Sequence, residues 1–195
     1  MNARLQPPAL AAALAFAALH IAGCDSGGGS ASVACATPQG GAAVPLVSHD
    51  LWQVAPADGD PWAAARPAED VCTGANRYAE DFAGTYSYAI QTGPGCGYTT
   101  VVQPAQTSAC EGQRLFVWLW RFELTAPDPG EAHIGVRIGD FDAWEVTVPI
   151  PSGSQLYTPD VALPVDVPAG TPIYYHVDNH GSNSYNLLEI SIKAE

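Results

Sequence analysis

The sequence predicts an all-β domain built as an antiparallel β-sandwich that two disulfides staple together. Charged residues are only 14% of the 195 residues, whereas 19 Gly and 17 Pro are present, a composition typical of short strands joined by turns. From residue 85 onward, apolar and polar residues alternate with a period of two, in segments separated by turn signals. Four cysteines follow Cys24, and an even number in an exported chain indicates two disulfides.

The alternating segments predict eight or nine short strands and no helix. A long loop rich in Pro, Asp, Gly and Ala precedes them at 55–77 and is fastened by Cys72. Pro164 interrupts one alternating run and therefore predicts an edge strand there. The predicted strands cover residues 85–91, 98–102, 114–124, 134–138, 144–150, 161–167, 173–177 and 188–192.

The N-terminus carries an export signal. Residues 9–19 form an uncharged apolar run, too short to cross a bilayer, and Ile21-Ala22-Gly23-Cys24 follows it. This tetrapeptide resembles the lipobox of bacterial lipoproteins, which implies cleavage before Cys24 and a diacylglycerol on its thiol. An ordinary secretory signal is the alternative.

The lipobox and the strand pattern together divide the chain into three predicted parts. They are a signal peptide at 1–23, the lipidated cysteine with a Gly/Ser tether at 24–34, and a β-sandwich domain at 35–195. We therefore expect an extracytoplasmic protein of the cell envelope whose partner is a membrane, reached through the lipid anchor. Asp25 leaves the inner and the outer membrane both open.

The charge balance excludes whole classes of partner. Arg4 is the only charged side chain in residues 1–23, so the remaining chain has six cationic side chains against 20 acidic ones, a net charge of −14. Such a surface repels phosphate backbones and anionic headgroups. Nucleic-acid binding is excluded, and contact with a membrane must come from the lipid.

The four cysteines of the domain allow three pairings. No CxxC pair occurs, so a zinc ribbon or thioredoxin-like chemistry has no support. We favour Cys35–Cys72 together with Cys96–Cys110, with the other pairings left open.

The segment RLFVWLWRFEL at 114–124 has two apolar faces. If its aliphatic side belongs to the core, Trp118 and Trp120 form a platform on which sugar rings can stack. In the alternative, the aromatic side packs between the sheets and the loop 55–77 covers the aliphatic side. The second arrangement is favoured, because aromatic side chains are more often core residues and because Arg121 and Glu123 make the end of the aliphatic face polar.

The second candidate site is a polar cluster in YYHVDNHGSNSY at 174–185. On an extended strand, His176, Asp178 and His180 share a face but span roughly 13 Å, too far for one metal ion unless the chain bends. Gly181 could supply the bend, and His133 could join from another strand. A solvated polar face with a turn is the favoured interpretation, although Asn179 and Asn183 could, with the same cluster, bind sugar hydroxyls.

Cofactor chemistry has little support elsewhere in the sequence. Asp58-Gly-Asp60 and Asp140-Phe-Asp142 could each lend oxygens to a structural calcium ion, but both are first interpreted as turns. No cofactor is expected. GxSxG, HExxH, P-loop and Rossmann motifs are absent, so no catalytic residue is assigned and an enzyme is the less favoured class.

The strand count, Trp-Glu-x-x-x-Pro-Ile-Pro at 144–151 and the closing strand resemble galactose-binding-like and carbohydrate-binding-module jelly rolls. The resemblance implies a tethered binding module with a glycan as partner, while an immunoglobulin-like sandwich is the structural alternative. Two other functions stay open. One is a metal-binding protein or metal-dependent enzyme that uses His133, His176, Asp178 and His180, and the other is a structural envelope protein that contacts other proteins.

Overall fold

A computed structural model describes residues 34–69 and 71–194. The predicted signal peptide, Cys24 and the tether as far as residue 33 lie outside the described residues. The described part contains twelve strands, and three short 3₁₀ turns precede the third of them. The strands are β1 (Val44–Pro45), β2 (Gln53–Val54), β3 (Arg77–Phe82), β4 (Thr85–Gln91), β5 (Tyr98–Pro104), β6 (Arg114–Arg121), β7 (Gly130–Ile138), β8 (Phe141–Ile150), β9 (Gln155–Tyr157), β10 (Asp160–Ala162), β11 (Pro172–Asn179) and β12 (Ser184–Ile192).

The strands form two antiparallel sheets that face each other as a sandwich. The seven-stranded sheet has the order β10-β6-β12-β4-β3, with β1 added on β12 and β9 on β6. The five-stranded sheet has the order β2-β5-β11-β7-β8. The predicted fold class, an all-β sandwich of the jelly-roll type with two disulfides, is therefore confirmed.

Alternation of side chains along each strand sends one set into the space between the sheets. On the seven-stranded sheet, Leu115, Val117 and Leu119 are 0% exposed. On the five-stranded sheet, Val136 and Tyr175 are equally buried. These side chains form one hydrophobic core, which leaves the outer face of each sheet available for other contacts.

The disulfides join Cys35 to Cys110 and Cys72 to Cys96, so the favoured pairing was wrong. Each pairing follows from backbone contacts between distant segments. The amide of Ala36 donates to the carbonyl of Ser108, which brings the first described residues beside Cys110. The amide of Cys72 donates to the carbonyl of Tyr98, two residues after Cys96.

Other differences concern the edges of the sheets. The run at 161–167 yields only the three-residue strand β10, and it lies at a sheet edge as Pro164 predicts. Strand β3 was not predicted, because its residues RYAEDF are nearly all half-buried and do not alternate. No helix in the described residues is long and apolar enough to span a bilayer.

Candidate functional site

The aromatic side chains of β6 lie on the outer face of the seven-stranded sheet. Phe116, Trp118 and Trp120 are half-buried, whereas the aliphatic residues between them belong to the core. The favoured prediction that the aromatics pack between the sheets was therefore wrong. It failed because Arg121, which ends the aliphatic face, is only 2% exposed: its guanidinium donates to the carbonyl of Gly153 and to the hydroxyl of Tyr157.

A groove runs over these aromatic side chains. Its floor is made by the two indoles, one wall by the tip of the β3–β4 hairpin, and the other wall by the short strand β9. The cavity has a volume of about 220 Å³, and the residues lining it are Phe82, Ala83, Thr85, Trp118, Trp120, Leu156 and Leu188.

The outward aromatic side chains form a row, Phe116, Trp118, Trp120 and Phe122. Contacts with other residues cover the two ends of this row. At one end the rings of Phe82 and Phe122 meet edge to face at 5.7 Å between centroids. At the other end the ammonium of Lys193 lies 5.2 Å from the centroid of the Phe116 ring. Trp118 and Trp120 therefore form the open part of the row, with their Cα atoms about 6.8 Å apart along the strand.

Polar groups border the indoles. Asn186 lies opposite Trp120 across the β6–β12 ladder, and its amide donates to Glu80 Oε1 at 2.8 Å. Glu189 lies opposite Trp118 in the same ladder and is half-buried. Trp120 Nε1 is buried and has no hydrogen-bond partner within the described part of the chain. An apolar floor with hydrogen-bonding groups at its border is the usual composition of a small-molecule site.

His176 lies on the opposite side of the sandwich, on the outer face of the five-stranded sheet. It is 0% exposed because the indole of Trp62 stacks on it, with centroids 4.6 Å apart and planes inclined by 14°. The imidazole of His133 lies 5.3 Å away. The pKa of His176 is lowered from 6.5 to about 3, mainly by burial and in smaller part by the neighbouring His133.

The other predicted polar residues serve the β11–β12 turn. Asn179 donates through Nδ2 to Thr92 Oγ1, and Asn183 donates through Nδ2 to Asn179 Oδ1. The Oδ1 atom of Asn183 accepts the amide of Thr125 at 2.7 Å. Both residues are 5% exposed or less, so the predicted turn is present, but its asparagines are buried and do not form the solvated face that was predicted with it.

The alternative metal set of His133, His176, Asp178 and His180 is not arranged as a metal site. Asp178 lies opposite His133 in the β7–β11 ladder, while the Nδ1 atom of His180 lies 3.0 Å from the carbonyl of Glu131. No group of three His, Cys, Asp or Glu side chains within residues 34–69 and 71–194 is arranged to hold a metal ion. The candidate ligand-binding residues thus divide between two outer faces, with Trp118 and Trp120 on one and His176 and Asp178 on the other.

The Asp-x-Asp turns are engaged in protein contacts. Asp60 Oδ2 accepts the hydroxyl of Tyr98 at 2.6 Å, and Asp142 Oδ1 accepts Arg137 at 2.6 Å. The turn interpretation holds for Asp58 and Gly59, whereas in the second segment only Asp140 lies in the turn and Phe141 and Asp142 already belong to β8.

Sequence reasoning missed Trp62, Gly135 and Glu145. The loop that carries Trp62 lies on the five-stranded sheet and not over β6 as expected: the indole lies over Gly135, and its Nε1 donates to Glu145 Oε1 at 2.9 Å. A large aromatic residue in a loop without periodicity was the available signal. Its contacts lie 83 residues away at Glu145 and farther still at His176, so they leave no local pattern.

The buried imidazole predicts acid sensitivity. The unfolded chain takes up this proton at the ordinary pKa of 6.5, whereas the folded chain does so at about 3. The His176 contribution to stability is therefore complete above pH 6.5 and is lost at about 1.4 kcal/mol per unit as the pH falls from 6.5 toward 3. Between pH 7 and pH 5 we expect native protein to lose about 2 kcal/mol more than His176→Phe, measured by urea unfolding.

The pH range above 7 supplies the control for this experiment. Both proteins should show the same dependence on pH between 7.5 and 8.5, where the imidazole is neutral in both states. An equal loss in the two proteins between pH 7 and pH 5 would contradict a buried, neutral His176.

No protein-family model matches the chain, and no curated protein matches it. Its fold is similar to that of the carbohydrate-binding module TmCBM61 in complex with beta-1,4-galactotriose, at 10% identity and a TM-score of 0.44, over 77% of this chain and 99% of the other. It is also similar to the enzymatically active domain of bacteriophage CBA120 tailspike protein 4, at 14% identity and a TM-score of 0.49, over 77% of this chain and 22% of the other. A third similar structure is the family 11 carbohydrate-binding module from Clostridium thermocellum in complex with a beta-1,3-1,4-mixed-linked tetrasaccharide, at 11% identity and a TM-score of 0.31, over 65% of this chain and 93% of the other. At these identities and scores the likeness concerns the course of the strands alone.

Proposed function

We propose that the domain is a non-enzymatic carbohydrate-binding module whose groove on the seven-stranded sheet holds a glycan against Trp118 and Trp120. The observation that carries the proposal is the pair of half-buried indoles on one strand, side by side in a groove. Glu189 lies opposite Trp118 on the neighbouring strand. A sugar ring has an apolar face of C–H groups that can pack on an indole, while its hydroxyls can donate to Glu80 and Glu189. Indoles combine a large apolar surface with a fixed geometry, which suits this kind of stacking.

The indoles do not have to lie at this surface for the fold to be stable. The aliphatic side chains of the same strand already fill the core at 0% exposure. Phe122 and Leu156, at 43% and 45% exposed, extend the apolar surface around the groove. A contiguous apolar patch on an otherwise acidic surface is typical of a binding site. The surrounding carboxylates favour neutral over anionic glycans.

We further propose that a lipid on Cys24 tethers the module to a membrane outside the cytoplasm. The two disulfides support an oxidising compartment. Intact-mass measurement of the protein isolated from cells tests the tether. We expect a chain that begins at Cys24 and carries the added mass of acyl groups, and an unprocessed N-terminus would contradict it.

The groove is tested by Trp120→Ala. The affinity of this variant for a glycan that the native chain binds should fall at least about tenfold, equivalent to roughly 1.4 kcal/mol. The reason is that the sugar ring loses half of the indole surface on which it stacks. Isothermal titration calorimetry with beta-1,4-galactotriose and a beta-1,3-1,4-mixed-linked tetrasaccharide, followed by a glycan array, measures the effect.

Tyr86→Ala is the matched control. It also removes an aromatic ring from the seven-stranded sheet, at a side chain that is 50% exposed and bonded to Asp50 outside the groove. Its affinity should equal that of the native chain. Equal losses in the two variants, or no binding of native protein to any glycan on the array, would overturn the proposed function.

A further inference from the structure

The indole of Trp62 occupies a slot on the outer face of the five-stranded sheet, bounded by His176, His133 and Gly135. One side of the slot is the His176 imidazole, parallel to the indole, and His133 meets the indole edge-on at 6.2 Å between centroids. The floor is Gly135, where a Cβ atom would lie 2.6 Å from Cζ2 of the indole. A glycine is therefore required at the one position where any side chain would close the slot.

The slot leaves one buried polar atom without a partner. His176 Nε2 is buried and makes no hydrogen bond to any residue that the structure describes. A buried polar group without a partner costs about 1–3 kcal/mol. The indole of Trp62 offers only its face to this imidazole, because its single N–H group donates to Glu145.

A chain of hydrogen bonds leads to one ring nitrogen of His176. Tyr98 donates its hydroxyl proton to Asp60, and Thr100 donates to the Tyr98 oxygen at 3.4 Å. Thr100 Oγ1 lies 2.8 Å from His176 Nδ1, so Nδ1 is the ring nitrogen that the strand engages. Nε2 is the ring nitrogen that faces the slot, where it can form a hydrogen bond with a sugar hydroxyl, which both donates and accepts.

The indole has fewer hydrogen bonds than the loop that carries it. Asp60, two residues earlier, is 7% exposed and fixed by its bond to Tyr98. Trp62 itself is half-buried, and its side chain makes one hydrogen bond, to the exposed Glu145. Rotation about the side-chain bonds of Trp62 is therefore enough to open the slot while the loop stays in place.

We propose that this slot is a second sugar-binding site, on the sheet opposite the groove, and that Trp62 occupies it in the absence of ligand. A sugar ring supplies both features that the slot requires: an apolar face to stack on His176, and hydroxyls that hydrogen-bond with Nε2 and donate to Glu145. Asp178 and Glu131 lie on the same face and repel anionic sugars, so the slot favours a neutral sugar. The ligand class rests on the proposed function, whereas the slot stands on its own geometry.

The experiment follows the indole N–H signals of the tryptophans by two-dimensional NMR on the full chain. The probes are D-glucose, D-galactose, beta-1,4-galactotriose and a beta-1,3-1,4-mixed-linked tetrasaccharide. We expect the Trp62 signal to move during the titration, in native protein and equally in a Trp118→Ala/Trp120→Ala variant that lacks the groove. In that variant background, Trp62→Ala should bind the same probe at least about fivefold more tightly by isothermal titration calorimetry, because the ligand no longer competes with the indole.

His176→Phe separates hydrogen bonding from simple packing. It keeps a ring for Trp62 to cover but removes Nε2, so affinity in the slot should fall at least about fivefold while the Trp62 signal of the free protein stays in its closed position.

The outcomes distinguish the two sites. Movement of Trp62 without movement of Trp118 and Trp120 refutes the groove and supports the slot. A Trp62 signal that stays still with all four probes, or that moves only while the groove is intact, overturns the second site and leaves the groove standing.

Discussion

Gly181→Ala is expected to lower the free energy of unfolding by about 4 kcal/mol, the sum of an overpacking cost and a backbone-strain cost. A Cβ atom at this position would lie 2.1 Å from the carbonyl oxygen of Thr125. The φ angle of 140° is one that residues with a side chain rarely adopt. Thr125 cannot retreat, because Asn183 binds both its amide, at 2.7 Å, and its carbonyl, at 3.2 Å. Urea unfolding monitored by tryptophan fluorescence measures the loss.

Gly153→Ala is the matched control. No atom lies within 4 Å of a Cβ built there, and the φ angle is outside the left-handed region. Its stability should stay within about 0.5 kcal/mol of the native value. A Gly181→Ala protein as stable as this control would show that the β11–β12 turn does not lie against Thr125.

The alternating pattern predicts most of the sheet strands because the period of two records which side chains face the core. It could not orient β6, where both faces are apolar. The deciding contacts of Arg121 are made with residues 153–157, more than 30 positions along the chain. From the sequence alone, the charge of Arg121 predicts a strand face that meets solvent. Its burial is favourable because polar groups of residues 153–157 accept its hydrogen bonds.

The same limit separates the two candidate sites. The groove could be predicted in part, since Trp118 and Trp120 share a face in any extended strand. Its hairpin wall could not, because it depends on the unpredicted strand β3. The slot under Trp62 depends on contacts of one loop residue with three strands of the opposite half of the sequence. Long-range contacts of single residues leave no periodicity to detect.

Removing the Cys35–Cys110 disulfide, as Cys35→Ala/Cys110→Ala, is expected to lower the free energy of unfolding by about 4.5 kcal/mol. This bond joins residues 75 positions apart, and the chain-entropy contribution of a crosslink grows with the length of the loop that it closes. The Cys72–Cys96 bond closes a separation of 24, so Cys72→Ala/Cys96→Ala should lose about 3.5 kcal/mol. Urea unfolding of both double variants beside native protein measures the two losses.

The order of the two losses is the test, since it follows from loop length and reverses the order expected from local packing. Cys72 and Cys96 are the more deeply enclosed pair by exposure, at 5% and 2%, and truncating them to Ala removes more buried contacts. The sites should also respond differently. Cys72 anchors the end of the loop that carries Trp62, so its removal should shift the Trp62 indole signal and leave those of Trp118 and Trp120 in place. A larger loss for the Cys72–Cys96 variant would mean that packing, and not chain entropy, determines what these disulfides contribute.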